Sequence, residues 1–384
     1  MVTPLSYDRR GPNLIKPFLV YLPYYLAWLL FAPLKVLVHT AALLGSRPKA
    51  SKLCLEAGEG GWRIIEYQEL YLSAQEYLNP QSLIKLVIDR DRPYLSQVAT
   101  ALQVHKPTHY AYSPRTGSQA PWGALIQAFG ILLLMTIHRV TPIVFLTDLP
   151  VRIWRAQSAV VTAFSGVVVT LMPPALTQPI FPHSRMIGPY LMPFSRKTLS
   201  LLDQIQEKNA KAGVPRTVSP VFIGSLYEPR TTKLELIRER LNDRGIQFEI
   251  RGRVIGEPRK SDDAYWGQLL NTAIVVTTAD QIELPTSDWK WIPHFIYRYT
   301  EALACGSLLI APQLQGVERY FVSGEHYIGF RDIDDAVGKI DHYYHHQEQR
   351  ERVAAAGRAR IRALIEGNSF WAGIDIALRS RSIT

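Results

Sequence analysis

Cysteine is almost absent: 384 residues hold two, Cys54 and Cys305, both inside apolar runs. That leaves no disulfide framework, and both thiols read as small buried hydrophobes of a reducing compartment. Zinc-finger spacing and RNA-binding signatures are also missing, and the lysines and arginines form no basic run with interleaved aromatics. The net charge of +10 therefore points away from nucleic acid, toward an acidic membrane surface or a phosphorylated small molecule. His183, His294 and His326 have no carboxylate or histidine partner at ligand spacing, so neither a metal nor another cofactor is expected. No G-x-G-x-x-G opens a helix after a strand with an acidic residue about twenty positions on, which counts against a nucleotide-cofactor oxidoreductase.

What is present is a globular balance of 47% hydrophobic and 20% charged residues, over a length that favours two domains. Residues 18–34 carry no charge, but the run is just under the roughly 20 residues that span a bilayer. Pro23 and Pro33 interrupt it, and Tyr21, Tyr24, Tyr25 and Trp28 are interface-preferring side chains. Arg9, Arg10 and Lys16 before it and Arg47, Lys49 and Lys52 after it put positive charge on both flanks. The expectation is an apolar helical segment over 1–50 that associates with a membrane in plane or re-entrantly; the alternative is a helical hairpin packed on the protein.

From Lys52 onward, short apolar runs alternate with longer amphipathic ones, the pattern of a parallel sheet with crossover helices. Strands are expected at 53–57, 84–89, 108–112, 142–148 and 166–172, with helix from the glycine turn 58–61 to about Leu78. The apolar stretch 123–137 is too short for a span and reads as a helix buried against the sheet. The Pro-rich loop 173–182 and the polar stretch Gln204 to Arg216 mark the change of domain. A second series then follows: strands 221–226, 248–253, 274–278, 308–312 and 326–330, with helices 232–244, 293–305, 333–346 and 347–366. The division is 1–50 apolar segment, 51–215 first Rossmann-like domain, 216–366 second Rossmann-like domain and 367–384 C-terminal helix.

Open α/β sheets bind ligands beyond the carboxyl ends of their strands. Those loops are basic in the second half: Arg230 and Lys233 follow strand 221–226, and Arg251 and Arg253 close the next. Such cations suit a diphosphate, where each charge-assisted hydrogen bond contributes about 1.5–3 kcal/mol. The stretch Arg298 to Gly306, R-Y-T-E-A-L-A-C-G, describes a helix closed by glycine that feeds a buried strand. Glu301 lies mid-helix among small residues, where a carboxylate needs a specific partner. A ribose diol is one candidate and Arg298, one turn back, is the other.

P-V-F-I-G-S-L-Y-E-P-R (220–230), R-G-R (251–253), T-T-A-D-Q (277–281), R-Y-T-E-A-L-A-C-G-S-L-L-I-A-P and G-V-E-R-Y-F-V-S-G-E-H-Y-I-G-F (316–330) together resemble the nucleotide-sugar domain of GT-B glycosyltransferases. Within these the chain is most similar to group-1 transferases of the spore-maturation type, over roughly 220–365. The resemblance implies two Rossmann-like domains facing across a cleft, and metal-independent transfer, with retention, from a nucleotide-diphosphate sugar. Its acceptor would be a glycan or lipid-linked molecule, at the cytoplasmic face of a membrane or in the cytoplasm.

Carried over by residue, the resemblance makes Glu301 the second acidic residue of the Glu-x7-Glu motif, which contacts the donor ribose; the first position is Pro293 here. Arg230 and Lys233 become diphosphate ligands, with Arg251, Arg253, Gln281 and Arg298 also on the donor side. In the first half only the order of elements and the turn Gly58, Gly60, Gly61 agree, where relatives place a loop facing donor and acceptor. Asp148, followed by Arg152 and Arg155, is a candidate acceptor-side carboxylate or a helix N-cap. A non-catalytic binding protein of the same fold is the remaining alternative, and Pro293 is its best argument.

Overall fold

The structure is a computed structural model that describes residues 51–59, 65–89, 91–113, 121–146, 160, 165–177, 185–254, 262–280 and 294–379, with isolated helical positions at Leu22, Leu26, Leu29, Leu30, 32–34 and Val36. The described chain divides into two compact units. The first takes residues up to Tyr190 and the stretch from Phe370 onward; the second takes the described residues between Leu191 and Ser369.

The first unit is a parallel sheet of β1 (Leu53–Glu59), β2 (Leu83–Ile88), β3 (His109–Tyr112), β4 (Thr141–Leu146), β5 (Val167–Thr170) and β6 (Met186–Ile187), in the order β2-β1-β3-β4-β5-β6. Its helices are α1 (Ile65–Tyr77), α2 (Tyr94–His105), α3 (Pro121–Ile137) and the single turn α4 (Pro174–Thr177). β3, β4 and β5 are buried on both faces, the edge strand β2 only in part, and alternate residues serve different layers. Leu53, Leu55, Ala111, Ile143, Phe145, Val167 and Val169 share a core with Leu70 and Ala74 of α1. Phe370, Trp371 and Ile374 complete that core, so the C-terminal helix of the chain belongs to the first sheet. There the Trp371 indole N–H donates to Ser73 Oγ (3.0 Å) and its ring meets Phe145 edge-on. On the opposite face, α2 and α3 pack against each other, with Leu95 filling the space left by Gly130.

α3 is buried against the sheet on one side only. Ala124, Ala128, Ile131, Leu132 and Met135 are buried, while Ile126, Leu133 and Ile137 are 67%, 41% and 53% exposed. A helix apolar on all sides but covered by one sheet leaves its outer stripe bare.

The second unit opens with α5 (Arg196–Lys211) and continues with β7 (Val221–Leu226), α6 (Arg230–Asn242), β8 (Glu249–Val254), α7 (Asp262–Leu270) and β9 (Ile274–Val276). It closes with α8 (Arg298–Ala304), β10 (Leu308–Pro312), β11 (Ile328–Phe330), α9 (Ile333–His345) and α10 (Gln347–Glu366). The five strands are parallel, in the order β11-β10-β9-β7-β8. Phe222, Ile274, Val276, Leu308 and Ile310 pack against Leu234, Ile237, Val337, Ile340 and Val353 of the covering helices. α9 starts where Asp332 Oδ1 accepts from the Asp335 N–H (2.8 Å), an acidic N-cap.

The contact boundary between the units lies at Tyr190/Leu191, whereas the sequence places the change at 215/216. The difference is α5, which joins the second unit because Asp203 pairs with Arg358 (2.6 Å) and Arg362 (2.7 Å) of α10. The last helix, α11 (Ser369–Arg379), carries the chain back to the first sheet. Among the described residues no helix is long and apolar enough to cross a membrane, and most of the apolar run 18–34 lies outside them.

Candidate functional site

The second unit gathers cations at the carboxyl ends of β7 and β9. Gly224 in β7 has φ +157°, and a Cβ there would stand 3.1 Å from the Phe222 ring, so the strand end is shaped around a glycine. Ser225 and Tyr227 follow, and α6 begins at Arg230.

Arg230 is buried, yet it is a cation at neutral pH. Its Nε donates to Thr278 Oγ1 (3.0 Å) beyond β9, and its Nη1 to the Ser225 carbonyl (3.1 Å). The guanidinium lies over the Tyr227 ring, 4.1 Å from its centroid. Burial lowers its pKa, with the Tyr227 and Asp280 charges acting in the opposite direction. One turn on, Lys233 Nζ donates to Asp280 Oδ1 (2.6 Å), and the Tyr227 hydroxyl donates to the Asp280 carbonyl (3.0 Å). Arg253 of β8, paired in register with Ser225, donates to Ser225 Oγ (3.0 Å). Arg230, Lys233 and Arg253 thus come together at these strand ends. Ser225, Thr278 and Asp280, which orient them, lie in the stretches 220–230 and 277–281 that carry the resemblance, but the sequence names no partner for them.

Arg251 points elsewhere: its guanidinium closes on Glu249 of its own strand (2.7 Å). Residues two apart on a strand share a face, which makes this a local pair.

Glu301 sits in α8, whose C-terminus ends at Gly306 with φ +66°. Its Oε1 accepts from the Tyr265 hydroxyl (2.5 Å), and its Oε2 pairs with Arg298 Nη1 (3.1 Å). Arg298 also donates to the Tyr265 oxygen (2.6 Å) and, through Nη2, to the Ile223 carbonyl (2.5 Å). Burial acts to lower the Arg298 pKa, but Glu301 and Tyr265 outweigh it and the net shift is upward. Of the two partners open for Glu301 in the sequence, Arg298 is the one that the fold supplies, and Tyr265 is a third that spacing does not reveal. Because Ile223 precedes Gly224, this buried group also braces the β7 end that carries the cations.

Arg216, from the polar stretch, holds the α8 terminus from outside. It donates to the Gly306 carbonyl, to the Thr272 and Cys305 carbonyls (2.6 and 3.2 Å) and to Ser307 Oγ (2.9 Å), and burial lowers its pKa to about 10. Both thiols are buried and free, and burial pushes each up to about 12, Cys305 despite the opposing arginines.

In the first unit, Gly58 lies in β1, while Gly60, Gly61 and Asp148 lie outside the described residues, as do Gln281 and Pro293 of the second unit. A polar cluster that the sequence does not announce sits beside that strand end. Glu56 Oε1 accepts from the Tyr110 hydroxyl (2.5 Å) and from Tyr94 of α2, and all three residues are buried. Burial, reinforced by the Glu56 charge, raises both phenols well above the usual tyrosine range. His326 accepts from the Val322 N–H (2.9 Å), and among the described residues no group of three or more His, Cys, Asp or Glu side chains could hold a metal ion.

Residues 230–366 match the model of a family described as Glycosyl transferase-like. No curated protein matches. Among solved structures, HepE from Anabaena in complex with UDP and glucose is similar at 11% identity and a TM-score of 0.57, over 85% of this chain and 100% of that one. Sucrose-phosphate synthase from Thermosynechococcus elongatus is similar at 10% identity and a TM-score of 0.58, over 87% and 100%. A glycosyltransferase from Rickettsia africae gives 10% and 0.53, over 86% and 98%. These likenesses show the fold: an α/β architecture with parallel sheets that matches GT-B glycosyltransferases.

Proposed function

We propose that the chain is a GT-B glycosyltransferase that takes its sugar from a nucleoside-diphosphate donor held by the second unit. The observation that carries this reading is the convergence of Arg230, Lys233 and Arg253 at the ends of β7 and β9, on the stretch that matches the glycosyl transferase family model. A diphosphate leaving group gains negative charge as the glycosyl bond breaks, and preset cations favour that state over the ground state. The site supplies this charge from side chains, so the transfer is proposed to be metal-independent, with retention at the anomeric carbon. The Anabaena protein was crystallised with UDP, which makes a uridine donor the first to test.

The acceptor, a glycan or lipid-linked molecule, is assigned to the first unit at Asp148, with the turn Gly58, Gly60, Gly61 on the donor side of the loop between the two substrates. The apolar segment 1–50 would keep it at the cytoplasmic face of a membrane. The spore-maturation likeness of the second unit's motifs belongs to the same reading.

The deciding experiment is calorimetric titration with UDP and UDP-glucose beside a donor-hydrolysis assay. Binding weakened in Arg230→Ala, with hydrolysis lost in Glu301→Gln, supports the reading; full activity in both variants removes the site assignment. A non-catalytic donor-binding protein is the second reading, favoured because both Glu301 oxygens are engaged within the protein. It requires UDP binding without transfer or hydrolysis.

A further inference from the structure

The outer face of α3 and the adjoining end of α2 form a surface that the donor site does not use. Ile126, Leu133 and Ile137 fall seven and four positions apart, which aligns them as one stripe along the helix. Val104, near the end of α2, is 65% exposed. The two helices precede the neighbouring parallel strands β3 and β4, so they end at the same edge of the sheet. There each is followed by an exposed cation, Lys106 after α2 and Arg139 after α3.

The chain holds 33 acidic residues, yet none lies between Arg92 and Thr147, the stretch that contains both helices.

A contiguous aliphatic stripe on a soluble surface marks an interaction site. Aliphatic side chains accompanied by Lys106 and Arg139, in a stretch without an acidic residue, complement an anionic bilayer. We infer that the α2–α3 face is a membrane-contact surface of the first unit, with Ile126, Leu133, Ile137 and Val104 entering the headgroup boundary and Lys106 and Arg139 meeting lipid phosphates. It is separate from the segment 1–50 and does not depend on the glycosyltransferase reading.

The test uses the full chain. Cys54 and Cys305 are 0% exposed, so a cysteine introduced by Leu133→Cys takes an environment-sensitive fluorophore alone. Gln75→Cys, on exposed α1 across the sheet, is the control. With phosphatidylcholine vesicles containing phosphatidylglycerol, emission at position 133 is expected to shift to the blue and to be quenched by a lipid-borne quencher. Position 75 and pure phosphatidylcholine should give neither effect. Lys106→Glu with Arg139→Glu should lower vesicle partitioning at least about tenfold.

Several outcomes would each overturn the inference. One is a silent label at 133 on chains that sediment with the vesicles, and another is no vesicle binding at all. Equal shifts at both positions would count the same way, as would a shift driven by protein concentration without lipid, which signals a second copy. So would a label already shielded before lipid is added, which signals cover by the chain itself.

Discussion

Both units set charged side chains on or beside their central strands, but of opposite sign: at the strand ends in the second unit and mid-strand in the first. In the second unit the groups are cations: Arg230 is buried and held by neutral oxygens, and Lys233, half-exposed, is balanced by Asp280. In the first unit the central group is an acid, Glu56, closed in by the Tyr94 and Tyr110 phenols. The same sheet architecture thus leaves one cation, Lys233, half-exposed in the second unit and seals Glu56 in the first. Architecture repeats across the chain while chemistry does not, and a ligand site has to be argued from the side chains.

The contrast is open to experiment. The largest effect is expected from Arg298→Met, which leaves Glu301 buried without its ion pair and should destabilise the second unit by about 3–5 kcal/mol. Hydrogen exchange read by peptide should show that loss in β7 and α8 and leave β1 and β3 unchanged. Next, Arg230→Ala should weaken UDP roughly ten- to hundredfold by calorimetry, the worth of one charge-assisted contact. Unaltered affinity would mean that the cations are structural and would erase the contrast. Glu56→Gln keeps an acceptor for both phenols and should cost only about 1 kcal/mol in urea unfolding, with no effect on UDP. A loss of transfer at unchanged stability would instead give the sealed acid a functional role.

The smallest effect concerns pH. Burial lowers the His109 pKa below 6.5, with Asp375 partly offsetting it. The folded state then binds the proton less well than the unfolded one. This contribution to stability is therefore complete above 6.5 and is lost as the pH falls through the depressed value. Thermal unfolding of the first unit should fall below pH 6.5, and His109→Gln should flatten that slope.

Much of the fold is legible in the sequence, because parallel strands buried on both faces read as apolar runs. Val221–Leu226 and Leu308–Pro312 occur where the pattern puts them. α5 is not read, since its polar surface masks the buried Leu199 and Leu202; the Ser195 cap, accepting from the Thr198 N–H (3.1 Å), is the signal that would have marked it. Arg230 and Lys233 stand out because charge beside a strand end is conspicuous. Tyr265 does not, and Thr278 and Asp280 stand in a quoted stretch without named partners, because these pairings come from proximity across 36, 48 and 47 residues. The turn of α8 is legible, but the choice of Arg298 and Tyr265 as partners of Glu301 belongs to the packing.

The return of α11 to the first sheet has a consequence for how the chain is made. Phe370, Trp371 and Ile374 close the core that Leu55, Phe145 and Val169 begin. During synthesis from the amino end, the first unit's strands emerge early but lack one wall until the whole second unit has been translated. At cellular elongation rates that delay is on the order of ten to forty seconds. The first unit is thus a nascent chain that must wait, its apolar face open to chaperones, while the second unit, continuous in sequence, can fold as it appears.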